Sequence, residues 1–401
     1  MHNNTHPPRP ESGLPNRDRL GDGGLRRLRK PLGSARRARS LRAAVSLATI
    51  PLALAACLGP ADKEPGVLPD ASYVFAITAS DDYQTGSYSA YGLESGTILP
   101  DLEANHADAA VRFRGGSDIF VINRMGRDNL LVVDRNNLKV VMTVKFPALS
   151  NPYDIEARDG LLYASFLAYD SILIYDQTNG NRAGAIDIHA YADEDGFAEI
   201  AALRFAGGYL YALAQHLDTR TPMFKPHDDP KLLKIDVQKR EVVEAIALPL
   251  ANPLSILQDP GNGKLYIPCV GEYSDAEWQP VLDGGLVEVE PSSGEARVIA
   301  TEAELHGNIG STLALEGRLI LAVHSALEDR VLAFGADKSI DTVATLPAWG
   351  ARALAADAES NTFCLADAAK GLRLFRLDTF AEKDTTNIDL GLSPVDLAII
   401  R

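Results

Sequence analysis

Cysteine, tryptophan and methionine are scarce in this sequence, with three, two and four copies in 401 residues. Three cysteines cannot build the disulfide framework of a small secreted fold, and none of them stands at metal-site spacing. Cys269 and Cys364 lie in apolar, strand-like runs about two repeats apart and read as buried single thiols. Helical periodicity is almost absent after residue 70, and the one strongly apolar run near the N-terminus, residues 43–56, falls short of the roughly 20 residues a membrane-spanning helix needs. Basic side chains are also few once the N-terminus is set aside. Residues 1–56 hold 11 Lys and Arg and 3 Asp and Glu, which leaves 28 basic and 51 acidic side chains in the remainder, a formal net of −23. Such a surface repels phosphate backbones, so nucleic acid is excluded as a partner.

What the N-terminus does have is order. Basic residues crowd between Arg26 and Arg42, the apolar run follows, and it ends in Leu54-Ala55-Ala56-Cys57. Basic then apolar is a secretory signal. The ending resembles the lipobox of bacterial lipoproteins, which implies that Cys57 takes a diacylglyceryl group and that residues 1–56 are removed. The alternative is a plain signal peptide with an incidental cysteine. Position 58 is Leu rather than the Asp associated with inner-membrane retention, so the resemblance points to the outer membrane. Residues 57–70, rich in Pro and Gly, read as a tether from lipid to domain.

Residues 71–401 are short runs of Val, Ile, Leu and Tyr separated by Gly, Asn and Asp, the pattern of many short strands. The most legible unit opens at Asn151-Pro152-Tyr153-Asp154-Ile155 and contains four strands in about 40 residues. Its first strand recurs around Val111, Ile155, Leu203, Ile256, Leu313, Leu354 and Leu397. Four strands at that period predict an all-β fold, a seven-bladed β-propeller of four-stranded blades. The repeat begins at a second strand near Tyr73 and finishes with a lone first strand, 393–400, so the C-terminal strand closes the ring within the first blade.

On these repeats, with Asn123-Arg124-Met125-Gly126-Arg127-Asp128-Asn129, Asn151-Pro152 and Asp283-Gly284-Gly285, the chain resembles bacterial seven-bladed propellers of the YVTN-repeat, surface-layer-like type. The resemblance implies the fold and supplies no catalytic set. WD dipeptides at blade ends are absent, which disfavours a WD40 scaffold.

The longest connections, 189–199, 215–231, 271–285 and 301–310, all map to the face where second-to-third and fourth-to-first strand loops emerge. Loops elaborated on one face of a rigid scaffold are where such folds carry function. His216, His227 and His306, with the carboxylates Asp193 and Asp195, are the candidate metal ligands there, and calcium is the divalent ion an acidic loop would take. A solvated acidic turn is the alternative. Arg124, Arg127, Tyr169, Tyr273, Trp278, Trp349 and Arg352 form a candidate ligand-binding face. Their other reading is packing of loops against blade edges. Two functions fit: an envelope-anchored scaffold that binds a protein, peptide or glycan, or a metal- or carboxylate-dependent hydrolase, lyase or lactonase at the channel mouth.

Overall fold

The computed structural model describes residues 70–218, 225–274, 279–383 and 388–401, so Cys57 and Trp278 lie outside the described residues. Seven antiparallel sheets of three or four strands follow one another along the chain. Blade 2 is representative: Ala109–Phe113, Asp118–Asn123, Asn129–Asp134 and Val140–Lys145 pair each with the next. The first strands of blades 3, 4 and 6 are Pro152–Arg158, Ile200–Ala206 and Asn308–Leu315. Blade 1 takes its first strand from the end of the chain. Ser393–Ile400 lies antiparallel to Tyr73–Ala79, with Tyr73 opposite Ile400 and Val74 opposite Ile399. The molecule is a seven-bladed β-propeller closed by its C-terminal strand, as the repeats predict.

Two blades depart from the expected four full strands. Blade 7 has three, Ala351–Asp357, Thr362–Asp367 and Gly371–Arg376, and its outer edge is held by the isolated bridges Leu372 to Ile388 and Phe375 to Glu382. In blade 5 the first strand shrinks to Leu257–Gln258. Proline explains this: Leu254 donates to the Pro268 carbonyl at 2.9 Å, but Pro268 has no N–H to return to the ladder.

Place within a blade decides residue choice. Every residue of the second strand Tyr73–Ala79 is buried, because each sheet is covered on both faces by its neighbours. Alternation survives at the rim, where the fourth strand Glu241–Ala247 exposes every other side chain. Apolar clusters fill the seams between blades. Phe120 and Phe146 of blade 2 meet Phe166 and Tyr175 of blade 3, with the Phe146 and Phe166 rings edge to face at 5.2 Å. The closing seam between blades 7 and 1 uses Ala76, Ala353, Ala355 and Ala366, whose small side chains let the two sheets approach. Cys269 and Cys364 are fully buried free thiols in two different seams, as the sequence predicts.

Candidate functional site: the channel and its loop-rich mouth

The inner strands of all seven blades enclose a central cavity of about 750 Å³. Its wall is of two kinds. Blades 5, 6 and 7 contribute uncharged residues such as Ser255, Ile256, Thr312 and Ala355. Across blades 1 to 4 runs a ladder of charges. Arg112 meets Asp396 at 3.2 Å and Asp154 at 2.6 Å; Arg114 meets Asp154 at 3.2 Å and Glu156 at 2.6 Å; Arg204 approaches Glu156 at 3.9 Å. Three guanidinium groups thus face three carboxylates. Burial would lower the Arg112 guanidinium, but Asp154 and Asp396 outweigh it and hold it above its usual range. Burial pushes Glu156 up despite Arg114, and burial with the neighbouring Arg114 charge pushes Arg204 down.

Two of these carboxylates also join blades through the backbone. Asp154 accepts the N–H of Ile155 at 2.9 Å and, from the next blade, that of Leu203 at 2.8 Å. Asp396 repeats this with Leu397 at 2.9 Å and Val111 at 2.9 Å. The two share a local sequence, Pro152-Tyr153-Asp154-Ile155 and Pro394-Val395-Asp396-Leu397. That repeated Pro-x-Asp-apolar pattern was the signal by which this ladder could have been found from sequence.

At the loop-rich mouth, Arg124 pairs with Asp108 at 2.6 Å and lies over the Tyr153 ring at 4.8 Å. Arg352 donates to the Tyr83 hydroxyl at 2.7 Å. His324 bonds Asp329 at 2.9 Å and stacks on Trp349, ring centroids 5.7 Å apart. Arg127 and Trp349 are exposed, as a ligand face requires. Tyr169 instead packs on Phe166 at 5.7 Å, and Tyr273 donates to Asn308 Oδ1 at 3.1 Å, so both support loops.

Of the expected metal ligands, the structure brings Asp193 and Asp195 together and adds Glu199, with one carboxylate oxygen from each within 4.8 Å of the others. The histidines stand apart. Both His216 nitrogens face carbonyl oxygens, Asp229 and Tyr191, at 2.8 Å each. A carbonyl only accepts, so each nitrogen makes its contact by donating, and a nitrogen that donates has no lone pair for a metal. His227 contacts Glu194 at 3.4 Å and Asp228 at 3.6 Å. His306 ends the short helix Glu302–Leu305 in left-handed backbone, in a different loop. Burial, followed by the charges of Asp195 and Asp193, pushes Glu199 up to about 8. Glu302, buried and accepting from Asn308 and Ile309 at 2.8 Å, is pushed up to about 7 by burial.

No protein-family model matches the sequence, and no curated protein matches it. Among solved structures, a candidate 6-phosphogluconolactonase from Bacteroides fragilis is similar over 83% of this chain and 99% of its own, at 14% identity and TM-score 0.56. AztD from Citrobacter koseri is similar over 82% and 98%, at 12% identity and TM-score 0.54. The β-propeller domain of Cps50 (Swd1) from Myceliophteria thermophila is similar over 75% and 96%, at 11% identity and TM-score 0.52. At such identities the likeness is one of fold: this chain is a β-propeller.

Proposed function

We propose that the chain is an exported, lipid-anchored scaffold that docks a protein or peptide on the loop-rich face of its propeller. The observation that carries this is where large apolar side chains remain exposed. Tyr83, Met125, Leu149, Val281, Leu327 and Trp349 all sit in loops of that face; the others among the described residues, Ile98, Val141, Val243, Val298 and Ile340, belong to fourth strands at the rim. Leu327 is 90% exposed and Leu149 79%. Tyr83, Met125, Leu149 and Trp349 also hold left-handed backbone, φ 54°, 51°, 62° and 61°, a conformation that costs bulky residues of order 1–3 kcal/mol each. A fold that spends this to keep apolar groups in water has a use for them there. Aromatic residues, Met and Arg are the types enriched in protein interfaces, and Arg127 and Arg352 stand on the same face. The anchor rests on the lipobox at Cys57, and the acidic surface favours a neutral or basic partner.

The test is site-specific photocrosslinking of the anchored chain in its own envelope, with the probe at positions 149 and 327 and, as controls, at 243 and 298. Adducts at the first pair alone are expected, and the captured protein, once purified, should bind at least tenfold more weakly to a Leu149→Ser, Trp349→Ser double variant. Equal adducts at all four positions, or turnover of a substrate by the purified chain, would sink the reading.

A further inference from the structure

The carboxylate cluster on the same face holds two groups that nothing in the fold explains. Asp193 and Asp195 come from the loop that leads into blade 4, and Glu199 closes that loop. Glu199 has no exposed surface: its Oε2 accepts the Leu217 N–H at 3.2 Å, while its Oε1 is buried without any hydrogen bond. Asp193 is half-buried and holds a similar oxygen. Its Oδ1 accepts the Asp195 N–H at 2.8 Å, and its Oδ2 is buried without a donor. A buried carboxylate oxygen with no donor is disfavoured, and here two residues of one cluster each hold such an oxygen.

We infer that Asp193, Asp195 and Glu199 form a binding site for one divalent cation of the hard, oxygen-seeking class, calcium first. Three carboxylates with no nitrogen or sulfur donor among them match that class and not zinc. Their mutual spacing of no more than 4.8 Å is the span across a sphere whose radius is about one calcium–oxygen bond, ~2.4 Å. A cation there satisfies both orphaned oxygens together, and water completes the six to eight oxygens calcium takes. Because Glu199 also holds Leu217, and His216 bonds Tyr191 and Asp229, the ion would fasten the loop before blade 4 to the hairpin Leu217–Asp218 and Lys225–Pro226. The other charged groups around the site are His216, His227, Glu194 and Asp228.

The competing occupant is a proton shared between Glu199 and its carboxylate neighbours. To separate the two, the full-length chain is stripped with chelator, exchanged into chelator-free buffer and titrated with CaCl₂, MgCl₂ and ZnCl₂ by calorimetry, with thermal unfolding alongside. One calcium per chain is expected, with a raised unfolding midpoint and magnesium at least tenfold weaker. Glu199→Gln and, separately, Asp193→Asn should each weaken calcium at least tenfold, and Asp228→Asn should leave it within twofold. No calcium uptake at millimolar concentration, with Glu199→Gln melting at or above the wild type, would overturn the site and assign the cluster to the shared proton. Zinc bound more tightly than calcium would overturn the cation class. Either failure leaves the docking face standing, because no crosslinking position lies in this cluster.

Discussion

Asp329 holds Trp349 by its backbone: one carboxylate oxygen accepts the Trp349 N–H at 3.0 Å, and the other accepts the Ala351 N–H at 2.9 Å. Asp128 does the same four blades earlier, to Leu149 at 2.7 Å and Asn151 at 3.2 Å. The held segments read Pro147-Ala148-Leu149-Ser150 and Pro347-Ala348-Trp349-Gly350. A buried aspartate beside a third strand thus fixes the next fourth-to-first loop and turns one large apolar side chain out to water. Two exposed residues of the proposed docking face, Leu149 and Trp349, are built in by the fold.

Replacing Asp329 by Ala should cost at least about 2 kcal/mol in urea unfolding, since two backbone donors and His324 lose a fully buried carboxylate. Trp349 emission, followed in a Trp278→Phe background, should move as the loop is released. Burial raises the Asp329 carboxyl, but its bonds from His324 and the two N–H groups outweigh this and hold it below the usual range. Its stabilisation is therefore present above the ordinary carboxylate range and lost as pH falls through the folded value, so the gap between wild type and variant should narrow below about pH 4.

In the channel, Asp154→Asn should cost about 3 kcal/mol, because Arg112 and Arg114 both lose a partner whose side chain is only 4% exposed. Asp396→Asn should cost less, since that side chain is 28% exposed and water replaces part of its role. Denaturant midpoints of the two variants decide it, and an equal or reversed order would contradict the burial argument.

Glu199 supplies a pH signature in chelator. A carboxyl raised to about 8 contributes stability fully present below about pH 4.5 and lost as pH rises through the folded value. The wild-type unfolding midpoint should therefore decline from pH 5 to pH 8, and Glu199→Gln should flatten that decline. Flattening should be partial, because Glu302, raised to about 7, loses stability over the same range. An unchanged slope in the variant would rule Glu199 out as the source.

Neither Cys269 nor Cys364 should react with a thiol reagent in the native chain. Both are fully buried, and burial pushes both thiols well above their ordinary range, so almost no thiolate is present. Two thiols besides Cys57 should become titratable only on unfolding. Rapid native reaction at either would mean that its seam opens.

Much of the fold was legible because it is periodic. Seams packed on both sides demand continuous apolar second strands, and those recur visibly, as in Leu161–Phe166 and Tyr209–Ala214. The short first strand of blade 5 was less legible, since one proline on the partner strand decides it. The site was harder still. Arg112 stands 284 residues from Asp396 in sequence, and Asp154 stands one repeat, 49 residues, from Leu203; the repeat aligns these strands, but which charges meet across them is set only when the blades pack. Glu199 lies beside the acidic loop in sequence, yet its hold on Leu217 depends on a hairpin inserted between the second and third strands of blade 4.

The sequence by itself determined the class, the number of blades and the closing strand, because hydrophobic period and turn residues are local properties that each repeat states again. Only the tertiary structure decided which charges meet in the channel, which loops share a carboxylate and which apolar side chains stay in water. Those depend on the packing of blades and loops, which brings side chains within ångströms in pairings that the period alone does not name.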